Sequence, residues 1–235
     1  VWRAVPYNIL PNVQTYRKDL FDEVGATTFP DTWEELRAVG KKLKAKGKPF
    51  GETLGHSFAD PVTFVYPFLW SYGGKEIAED GKTFVLDSPE THKAMEFMKG
   101  MWDDAYFPGG IAWDDTSNNR AYHGGQISCT LNGASIYVVA KDKFPDLAKV
   151  TYQAPHPKGP AGRFHFNLQI SHGIPKYSKN ADAAKEFILF MMDEPQYSRW
   201  MDAVLGYYTG PNPYWEKHPV WDKEPKMQAV REAGK

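Results

Sequence analysis

The stretch Tyr16-Arg17-Lys18-Asp19-Leu20-Phe21-Asp22-Glu23-Val24-Gly25, followed by Pro30-Asp31-Thr32-Trp33-Glu34-Glu35-Leu36, decides how this chain is read. Its first part predicts a short amphipathic helix stopped by a glycine. Its second part predicts a proline-set turn and a capped helix. Thr32 and Glu35 stand three apart, so each side chain can satisfy a free backbone N–H of the first turn. That helix carries Trp33, Leu36, Val39 and Leu43 on one face and is expected to end near Gly47.

Working outward, Asp60-Pro61 predicts an N-cap followed by proline at the first helical position. Val62 to Trp70 is apolar nearly all round, which predicts a buried helix. Ser88-Pro89-Glu90 opens another helix, with Ala94, Met95, Phe97, Met98, Met101 and Trp102 facing inward, and Asp193-Glu194-Pro195 opens one reaching about Ala203. Strands are expected at Val1–Val5, Gln126–Leu131, Val150–Ala154 and Leu168–Ile174. Strands interleaved with helices give an α/β class.

Composition narrows the function. The 235 residues are 42% hydrophobic with a formal net charge of −1, enough to bury one large or two modest cores. Interspersed charges leave no footprint for nucleic acid or an anionic membrane. The single cysteine, Cys129, excludes an internal disulfide and sits in a predicted strand as a small core residue. Aromatic residues make up 15% of the chain, which suits stacking on the apolar face of a ligand ring. Val1–Val5 and Met227–Ala233 read as a strand and a helix cut by the chain ends, so a fragment of a longer protein is expected, with no signal peptide visible.

The spacing Y-x-K-D-L-F-x-x-x-G then P-x-T-W-x-E-L resembles the extracytoplasmic solute-binding proteins of ATP-binding-cassette sugar importers, the maltose-binding-protein-like family 1. Further stretches extend the resemblance over most of the chain: Tyr66 to Gly74, Asn119 to Ser128, Leu131-Asn132-Gly133, Ile174 to Asn180 and Ala183 to Phe187. It implies a class II periplasmic-binding-protein-like α/β fold of two lobes joined by crossing strands, here with most of the first lobe missing. By that analogy residues 1–6 form a crossing strand, 7–147 the carboxy-terminal lobe, 148–192 a segment returning to the amino-terminal lobe, and 193–235 the start of a return to the carboxy-terminal lobe.

A sugar site needs flat aromatic surfaces and planar polar groups. Trp113-Asp114-Asp115-Thr116-Ser117-Asn118-Asn119-Arg120 offers both, with Trp113 stacking and Asp114, Asp115, Asn118 or Arg120 bonding hydroxyls; the same residues also suit a helix N-terminus. Asn8, in a loop after the crossing strand, borders the implied cleft, although asparagine is also an ordinary turn former. Asn132 and Tyr137 flank Ser135, which stands where maltose-binding protein carries a stacking tryptophan; the resemblance implies Tyr137 or Trp70 as the replacement platform, although Trp70 better fits a core residue. Alternation places Arg163, His165 and Asn167 on one face, with His165 and Asn167 at the cleft edge and Arg163 in solvent. Tyr207 lies in a glycine-bounded turn near the implied cleft, where it either touches ligand or packs the turn.

The resemblance implies a non-catalytic binding component that closes around a carbohydrate and delivers it to membrane permease subunits, working as a monomer in a periplasmic or extracytoplasmic space. No cofactor and no resident metal are expected, and the seven histidines show no metal-ligand spacing. Two alternatives stand. A glycoside-active enzyme would need two carboxylates flanking a bond, and adjacent Asp114 and Asp115 do not supply that geometry. A binder of a polyamine, peptide or other non-sugar solute would draw on Trp113, Asp114 and Asp115.

Overall fold

The computed structural model describes residues 4–234. Val1–Arg3, part of the expected first strand, lie outside the described residues. Among the described residues the strands are β1 (Val5–Pro11), β2 (Val13–Arg17), β3 (Cys129–Asn132), β4 (Thr151–Ala154) and β5 (Asn167–His172). The chain divides into two compact units, residues 12–166 and residues 4–11 with 167–234. Strands interleaved with helices make up the α/β class expected from the sequence.

In the larger unit β2 lies between β3 and β4, antiparallel to both. Tyr16 pairs with Cys129 on one side and Tyr152 on the other, and Thr15 with Thr130 and Gln153. Alternation sends Tyr16, Cys129, Leu131 and Ala154 into the main core. Helices α1 (Lys18–Glu23), α2 (Trp33–Ala45), α3 (Asp60–Ser71) and α4 (Pro89–Ala105) supply the rest: Phe21, Trp33, Leu36, Leu43, Phe64, Phe68 and Met101 are all essentially inaccessible. Thr15, Thr130 and Gln153 form a polar row on the other face. There α5 (Ser117–His123), α6 (Ser135–Lys143) and α7 (Pro145–Val150) approach, with Tyr122, Ile127 and Ile136 in a smaller cluster.

The capping box of α2 forms as expected: the Glu35 N–H donates to Thr32 Oγ1, and the Glu35 carboxylate accepts from the Thr32 N–H. Gly47 follows the helix at φ +73°, the left-handed position that ends many helices. Gly40 fixes the spacing of α2 and α4. A Cβ there would stand 2.4 Å from Phe50 Cε2 and 2.5 Å from Ala105 Cβ, so these elements meet only over a bare backbone.

Four local expectations are corrected. Tyr16 and Arg17 belong to β2 and the helix begins only at Lys18, because ladder pairing and burial of Tyr16 against Phe21 and Phe29 override the helical spacing. Asn8 lies within β1, not in a loop after it. Asp60 is the first residue of α3 rather than its cap; the cap comes from Asp115. Met95 faces solvent, 37% exposed, because the inward stripe of α4 runs through Ala94, Met101 and Ala105.

The smaller unit is built on a two-stranded antiparallel sheet, β1 with β5. Helices α8 (Ala181–Met192), α9 (Glu194–Ala203), α10 (Val220–Lys223) and α11 (Gln228–Ala233) complete it. Residues 193–234 stay with 167–192 instead of leaving for the other unit. Tyr197 Oη donates to the Tyr7 carbonyl at 2.6 Å, and Thr209 exchanges backbone hydrogen bonds with Ile9 at 2.9 and 3.0 Å. The described chain changes unit at residues 11/12 and 166/167, where divisions were expected after residues 6 and 147.

Candidate functional site

The richest polar assembly lies at the head of α3 in the larger unit. Helix α3 has no capping side chain of its own. Asp115 fills that role from 55 residues away: Oδ1 accepts from the Asp60 N–H at 3.1 Å and Oδ2 from the Ala59 N–H at 3.4 Å. A carboxylate at a helix N-terminus also meets the positive end of its dipole. Asn118, fully buried on α5, donates through Nδ2 to Asp60 Oδ2 at 2.8 Å, with longer approaches to Thr130 Oγ1 and the Leu131 carbonyl. Glu52, also fully buried, accepts from the Thr53 N–H at 3.1 Å and the Leu131 N–H at 2.9 Å.

Burial governs the electrostatics here. It pushes the Asp60 carboxyl up to about 7, opposed by the Asn118 hydrogen bond and helped by the Asp115 charge. Glu52 is raised well above the carboxylate range by burial first and Asp60 second. Asp114 is held down to about 2 by hydrogen bonds from Ser117 and Thr116, and serves its own turn.

Asp115 and Asn118 are thus brought together through Asp60. Trp113 is half-buried beside them in sequence, its ring stacked on Phe107 with centroids 5.3 Å apart and packed on the Ile127 cluster. Arg120 lies exposed on the surface of α5, bonded to Thr116 and Ser117 and 3.6 Å from Asp114. Asn132 forms a closed ring with its neighbours: its Nδ2 donates to Asn119 Oδ1 at 2.7 Å, and its Oδ1 accepts from Ser135 Oγ at 2.9 Å. Tyr137 is buried two residues beyond Ser135 in α6.

His165 donates Nδ1–H to the Asn12 carbonyl at 3.1 Å and stands edge-on to His156, ring centroids 4.8 Å apart. His156 is buried with both ring nitrogens unpartnered, and burial lowers its pKa well below the usual range, so it is neutral at pH 7. Arg163 is not a free solvent residue: it bonds the His156 carbonyl and pairs with Asp31. Trp70 stacks on Phe166 at 6.4 Å and 8°, its indole N–H on Glu76.

In the smaller unit, Asn8 is buried in β1 with Oδ1 unpartnered. Asn167 opens β5 and donates to the Ala233 carbonyl at 2.9 Å. Tyr207 is half-buried edge-on to Tyr208 at 4.4 Å. His165 and Asn167, expected on one strand face, therefore belong to different units, because regular strand begins only at Asn167.

Sequence reasoning missed Glu52, Asp60 as a buried acid, Asn119, the unpartnered Thr15 hydroxyl and Gln153 amide, and Phe58. Phe58 is 88% exposed next to the capped head of α3. Its sequence signal is a lone aromatic in the polar run Gly55-His56-Ser57-Phe58-Ala59-Asp60.

A serine–histidine pair exists, but in a state unsuited to nucleophile activation. Ser198 Oγ is 2.7 Å from His218 Nε2, and the Val220 N–H donates to Nδ1 at 3.2 Å. The neutral ring therefore carries its proton on Nε2 and donates to the serine, the reverse of a general base. Among the described residues no cluster of histidine, cysteine and acids can hold a metal, and no helix is long and apolar enough to cross a membrane.

Residues 1–229 match the family model described as bacterial extracellular solute-binding protein. A binding protein of Brucella abortus is 28% identical over 184 residues, covering 76% of this chain and 44% of its own length. Among solved structures, maltose-bound MalE3 of Thermotoga maritima is 24% identical with a TM-score of 0.84, covering 99% of this chain and 61% of that one. An ABC transporter solute-binding protein from Thermotoga lettingae, bound with α-D-tagatose, is 21% identical with a TM-score of 0.80, covering 98% and 59%. The chain thus spans less than half of the curated relative and about three fifths of the solved structures.

Proposed function

Because the chain belongs to the bacterial extracellular solute-binding protein family, we propose that it is part of the binding component of an ATP-binding-cassette importer, taking a carbohydrate in an interlobe cleft and passing it unchanged to membrane permease subunits. On this reading residues 12–166 are the carboxy-terminal lobe and residues 4–11 with 167–234 belong to the amino-terminal lobe. The working protein is a monomer in an extracytoplasmic space, without catalysis or cofactor. Ligand contacts made only when the lobes close would shift the population towards closure.

The observation that carries this reading is the fold match along 99% of the chain to a protein solved with maltose. Local chemistry supports it. Phe58 at the head of α3 supplies an exposed ring, and Asn132, Asn119 and Ser135 form a rigid array of amides and hydroxyl. Neutral hydroxyls both donate and accept, which suits such an array. Asn8, Trp113, Arg120, Tyr137, His165, Asn167 and Tyr207 are the further candidates, while Asp115 and Asn118 hold the first turn of α3 and Asp60.

A cationic solute such as a polyamine is the poorer fit. Asp115 and Glu52 spend both oxygens on backbone N–H groups, and Asp60 is poised near neutrality. Thermal-shift screening of the full-length protein against sugars, amines and peptides tests this, since a ligand bound only by the folded state raises apparent stability. Stabilisation by a sugar class is expected; stabilisation by amines alone would reject it.

A further inference from the structure

Residues 155–166, between β4 and β5, form a strap stitched onto the larger unit. The Lys158 N–H donates to the Asp31 carbonyl at 2.7 Å, and the Trp33 N–H donates to the Lys158 carbonyl at 3.1 Å, which ties the strap to the start of α2. The Ala161 N–H donates to the Ser71 carbonyl at 2.8 Å, at the end of α3. Gly159 permits that approach: a Cβ there would stand 2.4 Å from the Ser71 carbonyl oxygen. His165 bonds the Asn12 carbonyl, and Asn12 Nδ2 donates to the Phe166 carbonyl at 3.3 Å. The strap thus also ties together residues 12 and 166, beside the two points where the chain changes unit.

Beneath the strap lies His156, 1% exposed, edge-on to the Trp33 indole with centroids 6.2 Å apart. Both its ring nitrogens are sealed off without a partner. A neutral ring bears this at modest cost; an imidazolium, with a charge and two N–H groups, does not. The charged groups facing it have the wrong sign. On the strap itself His165 stands edge-on and Arg163 bonds the His156 carbonyl. From β2 and its approach comes the Asn12 backbone, and from α2 the Trp33 ring. Asp31, in the turn before α2, is engaged by Lys158 at 2.8 Å and by Arg163, which hold its carboxyl below the usual range and keep it ionised. Burial first, then His165 and Arg163, keeps His156 neutral well below the usual histidine range. His165 is lowered by burial too, yet its Nδ1 proton serves the Asn12 carbonyl in either state.

We propose that this strap is an acid-sensitive latch: protonation of His156, beside His165 and Arg163, lifts residues 155–166 off α2 and α3. The shut strap holds the ring neutral, and the lifted strap exposes it to water, where histidine titrates at about 6.5. Lifting therefore takes up a proton and becomes easier as pH falls below that value; above it the strap stays shut. The latch does not depend on which solute the protein takes, so its failure would leave the carbohydrate reading standing.

The test is amide hydrogen exchange of the full chain by NMR between about pH 7.5 and about pH 5, with protection corrected for each amide's intrinsic rate. A single histidine that titrates at about 6.5 only when lifted should lower protection at Lys158 and Ala161 about thirtyfold over that range. Arg17, whose N–H donates to the Ser128 carbonyl at 2.8 Å in the same unit, should not follow. His156→Phe fills the same space with no proton to gain, so it should keep Lys158 and Ala161 protected at both pH values. The ring nitrogen shifts of His156 in the unaltered chain give a second readout that needs no variant: the ring should stay neutral while the strap is shut. Protection at Lys158 and Ala161 that ignores acid, a fall shared equally by Arg17, or a fall that His156→Phe leaves intact would each overturn the proposal. So would a His156 ring that titrates as in water while Lys158 remains protected.

Discussion

Helices α2 and α8 are both rich in apolar residues, yet they end differently. In the larger unit α2 buries Trp33, Leu36, Gly40 and Leu43 against α4 and the sheet. In the smaller unit α8 buries no residue: Phe187, Leu189 and Phe190 are 58%, 64% and 55% exposed, and β5 is mostly open. An amphipathic pattern specifies which face wants cover but does not supply it. The larger unit closes its own core; the smaller one, among the described residues, leaves α8 uncovered.

This contrast can be broken by substitution. Trp33→Ala should have the largest effect, about 3–5 kcal/mol of lost stability, because the indole is inaccessible and also donates to Ser71 Oγ at 3.0 Å; urea unfolding measures it. A loss below about 1 kcal/mol would mean that the core around α2 is not closed.

Next comes the proton balance at the head of α3. Asp60 is raised from 3.8 to about 7, so the folded state holds more protons than the unfolded state between these values. Its contribution is full below pH 4 and is lost as pH rises to about 7, a change of roughly 4 kcal/mol. Asp60→Asn should flatten that part of the stability curve, measured by denaturant midpoints at stepped pH. An unchanged slope would place the carboxyl in water instead.

Gly40→Ala should cost about 1–3 kcal/mol through overpacking against Phe50 and Ala105. By contrast, Phe190→Ser should change unfolding free energy by less than about 0.5 kcal/mol while reducing binding of a hydrophobic dye. A large loss there would show that α8 is covered after all and would dissolve the contrast.

The same residues show what could be read ahead of the structure. Caps built from neighbours were legible: Thr32 with Glu35, and Ser88, whose hydroxyl accepts from the Thr91 N–H. The cap of α3 was not, because its carboxylate arrives from Asp115, and no local pattern encodes a partner 55 residues away. Tyr16 and Arg17 fit a helical spacing but were claimed by pairing with β3 and β4, a tertiary override of local preference. For the site, polar residue types were legible, their bonding was not. Asn118 and Asp115 look like free hydroxyl-binding groups in the sequence, yet in the fold they hold Asp60 and the first turn of α3. Phe58 escaped notice because exposure at a loop tip has no sequence period.

The central claim is reversible capture of a carbohydrate without chemistry. Equilibrium binding of the full-length protein to a sugar panel, followed by recovery and mass analysis of the bound sugar, addresses it most directly. The account predicts saturable binding of at least one sugar, released with its mass and linkage intact. Cleaved or modified sugar in the eluate, or retention of amines and peptides with no sugar retained, would contradict it.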